Sequence, residues 1–280
     1  WYSYEYTVQT NTQVKFRFKA YAYSWNGVYY DFDNIRINNK KVNNLTTNKF
    51  KIENSKVFSS LELGHRINEL NNVDYKSKNS NILVRNGSLN IDSCSFNGSS
   101  DNDYPLLVFS SNEDSITVTN SHFLNHSSDA IVVSANHNNT ELYNCTIKNN
   151  RNGISHSGDN SNINLKYSFV IDNSASGIVS TGDFTNTNLH SSMISRNNLH
   201  GLSSNGQVNS NYSNITYNNS VGIKLNSNSF SNITNSIIWG NDITNYNQIN
   251  TSSGITSIVY STVQGLGAYG TSGSQYYYGD

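Results

Sequence analysis

The sequence predicts an all-β chain dominated by a right-handed parallel β-helix of about eight coils, and three observations carry that prediction. One short pattern recurs eight times between residues 91 and 263: an apolar residue, a Ser or Cys three positions later, and an apolar residue two positions after that. The small-residue column reads Cys94, Ser121, Cys145, Ser168, Ser192, Ser213, Ser236 and Ser261, and the residues two further on are Phe96, Phe123, Ile147, Val170, Ile194, Ile215, Ile238 and Val263. The first column is apolar throughout except at Ser210. Successive small residues lie 27, 24, 23, 24, 21, 23 and 25 positions apart, too irregular for helical hairpins and too long for hexapeptide solenoids. Each such unit buries its face only by stacking on its neighbours. Finally, apolar residues at every second position within short runs, punctuated by Asn and Gly, read as strands joined by bends. The handedness follows from the crossover rule for parallel strands.

Taken in chain order, residues 1–39 read as an antiparallel hairpin. The run QVKFRFKAYAYS at 13–24 alternates apolar and polar side chains, Asn26-Gly27 suits a type I′ turn, and VYYDFDNIRI returns. The run YDFDNIRI resembles the closing strand of jelly-roll modules in secreted bacterial proteins, which implies that these residues are the end of such a module. Residues 40–85 read as a transition and N-terminal cap. Ile52, Ser55 and Val57 fit the repeat register as a ninth rung, and LELGHRINELNNVDYK is expected to fill the gap before Cys94 as a short helix or long loop. The β-helix proper spans 86–265, and 266–280 form a C-terminal tail or cap.

Each coil holds up to three strand-like pieces. The first carries the repeat pattern, as in LYNCTI at 142–147, and often ends in Asn five positions after the small residue, at Asn150, Asn173, Asn197, Asn218 and Asn241. A second opens with a small and an aliphatic residue, as at Gly153-Ile154 and Gly177-Ile178, and a third runs into the next coil. Asn caps bends and tolerates the left-handed region, and identical Asn residues on successive coils are placed to bond as a ladder. These coils resemble the bacterial secreted right-handed parallel β-helix repeat proteins. The stretch NSIIWGNDITNYNQINTSSGITSIVYSTVQGLGAYG is similar to the last coils of large Bacteroidetes-type surface proteins, which continue into anchoring or sorting segments. That resemblance implies a secreted or cell-surface location and contact with secretion or anchoring machinery.

The formal net charge is −1 and 13% of residues are charged. No basic face is offered to nucleic acid or anionic lipid, and no apolar run is long enough for membrane insertion. Asn supplies 50 of 280 residues and Pro one, a composition that would suggest disorder without the apolar columns. Cys94 and Cys145 share a column but stand two coils apart, about 9–10 Å at the usual strand spacing, too far for a disulfide. They are expected to be buried free thiols. A chain opening at Trp1 reads as a processed product or a fragment. Of the Asn-x-Ser/Thr triplets, chance accounts for most in so Asn-rich a chain, and Asn144 falls inside an expected core strand.

The fold is shared with pectate lyases, polygalacturonases and related enzymes, so charged clusters need testing. Asp159 and Asp183 each follow a Gly and stand six residues after Gly153 and Gly177. Stacked on adjacent coils, the carboxylates would approach the separation of a retaining glycosidase pair or share a calcium ion. With Asn136, Gln207 and Asn228 at the same offset, they also read as a polar turn column. Arg151, His156, His190, Arg196 and His200 form a second cluster, in which an Arg would act as a lyase base and a His as a proton shuttle, although their offsets within the coil differ. The signatures of polygalacturonases, an Asn-Thr-Asp, an Asp-Asp pair and a Gly-His-Gly, are absent, as is the regular Thr column of ice-binding solenoids. Nineteen tyrosines, many in the first 30 residues and at 274–280, either stack on sugars or pack as caps. The function expected is adhesion, structural extension or glycan binding without catalysis or cofactor. The alternative is a polysaccharide lyase or hydrolase using Asp159, Asp183, Arg151 and Arg196.

Overall fold

A computed structural model of the chain describes residues 49–57, 60–64, 66–76, 81–100, 104–226, 229–242, 244–245, 247–251, 255–264 and 275–279. The expected antiparallel hairpin and jelly-roll remnant at 1–39 lies outside the described residues, as does most of 266–280.

Every described element is a strand, and every strand pairing is parallel. A coil is built from three short strands, seen for example in Asn162–Lys166, Phe169–Ile171 and Ile178–Ser180. Equivalents of the first two stack into one 19-stranded sheet, and equivalents of the third form a nine-stranded sheet. Register holds the sequence columns together: Leu142 pairs with Leu165 and Leu165 with Leu189, while Ile147 pairs with Val170 and Val170 with Ile194. All of these side chains are buried. Each fully buried Ile, Leu or Val contributes about 1.5–3 kcal/mol relative to exposure, so the columns are the principal source of cohesion between coils.

The repeat pattern contains a bend. The residue before each small residue adopts a left-handed backbone, from Asn54, Asn72 and Ser93 through Asn120, Asn144, Tyr167, Ser191, Tyr212, Asn235 and Tyr260. The bend turns the next N–H out of the ladder, and the small residue of the following coil receives it. Cys145 N–H donates to Ser168 Oγ at 3.1 Å, Ser168 N–H to Ser192 Oγ at 3.1 Å, and Ser192 N–H to Ser213 Oγ at 3.1 Å. Each hydroxyl then donates to the carbonyl two residues back, as Ser168 does to Lys166 at 2.9 Å. A small donor and acceptor is therefore favoured in this column, because a buried N–H without a partner costs about 1–3 kcal/mol. Ser210, the one polar break in the first column, bonds Ser236 Oγ at 3.1 Å. Asn144 occupies one of these exposed bends and not, as expected, a core strand.

The segment expected to be a short helix or long loop is instead another coil. Ile67–Lys76 is a strand lying between Lys49–Val57 and the first repeat rung, with Ile52 paired to Leu70, Val57 to Tyr75, and Tyr75 in turn to Phe96. Its small-residue position holds Val73, whose N–H reaches Cys94 Sγ at 3.4 Å. Val73 has no hydroxyl, so a pattern keyed on Ser or Cys passes over this rung. Tyr75, Phe96 and Phe123 fill this end of the core as a ring column, with Phe96 and Phe123 stacked at 4.5 Å. Beyond the last repeat rung, Gln275–Gly279 adds a strand parallel to Ile255–Val259.

Candidate functional site

A coil has three corners, and the sequence candidates divide among them. Asp159 and Asp183 lie at the corner after the third strand and are exposed. There Asn136 N–H donates to Asn112 Oδ1, Asp159 N–H to Asn136 Oδ1, and Asp183 N–H to Asp159 Oδ1, at 2.9, 2.9 and 2.8 Å. The two carboxylates do stand on adjacent coils, but Asp159 is occupied in capping the next turn. The column ends at Asp183, because the following coil shortens its turn: Ser180 pairs with Ser204, whereas Asn186 pairs with Gln207. Gln207 is thus the first residue of a strand and not a turn residue, and Asn228 lies outside the described residues. Glycine is needed here, since a Cβ at Gly182 would meet Gly158 O at 2.2 Å.

Arg151 and Arg196 lie at the corner before the third strand, so strand Ile154–His156 separates Arg151 from Asp159. Each arginine is held by a carboxylate one coil earlier. Arg151 Nε donates to Asp129 Oδ1 at 2.8 Å, and Arg196 bonds both oxygens of Asp172 at 2.7 and 3.1 Å. Asp129 is buried and also accepts from Asn152 N–H, Asn152 Nδ2 and Ser155 Oγ. Burial alone would raise its pKa, but the bonds from Arg151 and Ser155 and the Arg151 charge outweigh it and hold the carboxyl below its ordinary value. Asp172 is lowered by its bond to Arg196. These partners were legible as opposite charges 22 and 24 residues before each arginine, one coil away.

The histidines also disperse. His156 points into the core in the column of Phe109 and Val133, with neither ring nitrogen bonded, and burial lowers its pKa to about 4. His200 is half-buried at the arginine corner and lowered by burial and by the Lys224 charge. His190 belongs to the outer surface of the first bend. The residues required for acid–base work therefore do not meet, and among the described residues no three His, Cys, Asp or Glu gather as metal ligands. No described helix is long and apolar enough to cross a membrane.

The chain matches no protein-family model, no curated protein and no solved structure. Function has to be sought in the surface itself.

What the sequence columns do not reveal is a row of rings along the first bend. Tyr143, Tyr167, His190 and Tyr212, from four successive coils, stand with centroids 5.3, 5.7 and 6.0 Å apart, each ring edge-on to the next. The three tyrosines are 48, 47 and 58% exposed. Tyr143 and His190 come from the residue before the bend, whereas Tyr167 and Tyr212 are the left-handed residues themselves. No single sequence column holds all four, and only the bend brings the two columns side by side. A parallel ladder of Asn side chains flanks the row, with Asn188 Nδ2 donating to Asn164 Oδ1, Asn209 to Asn188 and Asn232 to Asn209 at 2.8, 2.7 and 3.0 Å.

Proposed function

We propose that this chain is a non-catalytic, secreted or cell-surface β-helix that acts in adhesion or glycan binding, extending its recognition surface by stacking coils. The similarity of its last coils to bacterial, Bacteroidetes-type surface proteins supports, in this reading, a position beside an anchoring or secretion apparatus. The observation that carries the proposal is the capping bond from Asp183 N–H to Asp159 Oδ1, at a corner separated from Arg151 by the strand Ile154–His156. Asp159 caps a turn, Arg151 and Arg196 are paired with Asp129 and Asp172, and the carboxylates and arginines lie on different corners, while the surface rich in exposed rings lies on the first bend. Large exposed apolar groups in a continuous row mark an interaction surface.

The test is incubation of the chain with a panel of neutral and acidic polysaccharides, following both retention and chain cleavage. Retention without new reducing ends or unsaturated uronates is expected. Cleavage by the native chain that disappears in Asp159→Ala or Asp183→Ala would overturn the non-catalytic reading.

A further inference from the structure

The ring row admits a more specific statement, which rests on the glycan-binding reading above. We infer that Tyr143, Tyr167, His190, Tyr212 and Tyr260 form a linear binding site for an extended, uncharged, β-linked polysaccharide lying along the stacking direction of the coils.

Backbone strain is the first argument. Tyr167, Tyr212 and Tyr260 have φ of 53°, 51° and 48°, a region that bulky residues avoid and that Asn accepts readily. Asn fills the same bend at positions 54, 72, 120, 144 and 235. Tyrosine here gains little from burial, since Tyr260 is 69% exposed and the others about half. A strained residue that brings no better bend, and whose ring contacts stay within the exposed row, points to a use at the surface.

Spacing is the second argument. Within the bend column, tyrosine recurs at every second coil: Tyr167, then Ser191, then Tyr212, then Asn235, then Tyr260. Two strand spacings come to about 9–10 Å. An extended β-linked polysaccharide alternates the orientation of successive sugars, so it offers an equivalent apolar ring face at every second residue, at nearly this interval. Between Tyr167 and Tyr212 the intervening coil presents the edge of His190, and between Tyr212 and Tyr260 it presents the small polar Asn235, which leaves room for the sugar turned the other way. A helical, α-linked chain cannot keep this register.

Polar chemistry is the third. Each Asn amide in the flanking ladder spends one N–H on its neighbour and retains a second donor, and Asn164 and Asn188 also keep a carbonyl lone pair, whereas Asn209 Oδ1 accepts from both Gln207 and Asn232; these groups suit sugar hydroxyls. From the coil of Tyr143 to that of Tyr260, the two columns forming the row contain one cation, Lys166, and no carboxylate. An acidic polymer would need a cation at every repeat, so the ligand is neutral.

The experiment is depletion of the full chain from solution by insoluble cellulose, chitin and mannan, with amylose and polygalacturonate as comparators. Tyr167→Asn and Tyr212→Asn use the residue the bend prefers, so the fold is retained, and far-ultraviolet circular dichroism verifies it. Phe184→Asn replaces a 79% exposed, left-handed aromatic on the Asp183 corner and serves as control. Retention by at least one of the three β-linked polymers is expected, weakened tenfold or more by either Tyr variant and unchanged in Phe184→Asn. Equal retention of native and Tyr variants would overturn the row as the site while leaving the glycan-binding reading intact. Retention by polygalacturonate or amylose alone, or by none of the polymers, would overturn the ligand class. Cleavage of any polymer bears on the non-catalytic reading and not on the row.

Discussion

Asn173 donates both its backbone N–H and its Nδ2–H to Oδ1 of Asn197, at 3.1 and 2.8 Å, with both residues buried. The same arrangement links Asn150 to Asn173, Asn197 to Asn218 and Asn218 to Asn241, and Gln248 Oε1 closes the ladder by accepting from Asn241. At the other end His126 replaces Asn, with its Nδ1 accepting from Ser99 N–H at 3.3 Å. The residue before each ladder Asn is left-handed, at Asn149, Asp172, Arg196, Tyr217 and Gly240. This second bend thus solves the same problem as the first: a rotated N–H is met by a side chain from the next coil, here an amide in place of a hydroxyl.

Asn197→Ala removes the acceptor for two buried donors on Asn173 and takes away two donated bonds, to Val170 O and Asn218 Oδ1. At about 1–3 kcal/mol for each stranded buried group, the loss should reach about 2–5 kcal/mol. Asn219→Ala removes a single exposed bond to Asn198 and should cost within about 0.5 kcal/mol. Denaturant midpoints of the two variants measured side by side check this, and equal midpoints would refute the ladder's structural weight.

The two arginine pairs should behave differently, because Asp129 is buried and Asp172 is not. Asp129→Ala strands Arg151, Asn152 N–H and Ser155 around a buried site, at an expected cost of about 3–5 kcal/mol. Arg196→Ala breaks a pair whose guanidinium side chain is 51% exposed, for which about 0–1 kcal/mol is the ordinary range. Thermal unfolding of both variants, with and without 1 M salt, separates the cases, since salt should reduce only the Arg196 contribution.

The repeat columns, the inward faces and the Asn ladder were all legible in the sequence, because stacking in register forces the same position to solve the same problem in every coil. Legibility failed where one problem had two solutions. Val73 does without the hydroxyl, accepting no bond and passing its own N–H to Cys94, so the rung of Ile67–Lys76 read as a short helix or long loop. Gln207 was misplaced because the turn before it is three residues shorter than its neighbour, as the paired registers of Ser204 and Gln207 require. The ring row escaped because its members alternate between two columns that become neighbours only through a left-handed bend. Asp159 and Asp183 stand on adjacent coils as expected, yet the Asp159 carboxylate is engaged by the Asp183 backbone N–H, which no spacing argument reveals.

The two cysteines are buried and free, and burial pushes the Cys145 thiol up to about 11. At pH 8 the native chain should resist an aromatic disulfide reagent at both positions and react fully once denaturant is added. Cys145→Ser keeps a small donor and acceptor in a column that is otherwise mostly serine, and should change stability by about 1 kcal/mol or less. Cys145→Ala should cost about 1–3 kcal/mol, because Ser121 N–H then loses its acceptor. Stability ordered as Ala equal to Ser would show that the column selects for size alone.

His156 sets a pH dependence whose sign follows from its surroundings. Burial holds its folded pKa at about 4, below its ordinary 6.5, and no partner rewards a charge inside. Between pH 4 and 6.5 the unfolded chain therefore binds a proton that the folded chain refuses. The full stability is present above pH 6.5 and declines as pH falls toward 4, by about 3 kcal/mol over the whole window. Asp129, Asp172 and Asp92, all lowered in the fold, lose their contributions in the same direction as pH falls, so the histidine must be isolated by substitution. His156→Val matches its column neighbour Val133 and removes the titrating group. The melting temperature of the variant relative to the native chain should rise steadily between pH 6.5 and 4.5 and stay constant between pH 7 and 8. A difference that does not change with pH would mean that His156 is charged, or reached by solvent, in the folded coil.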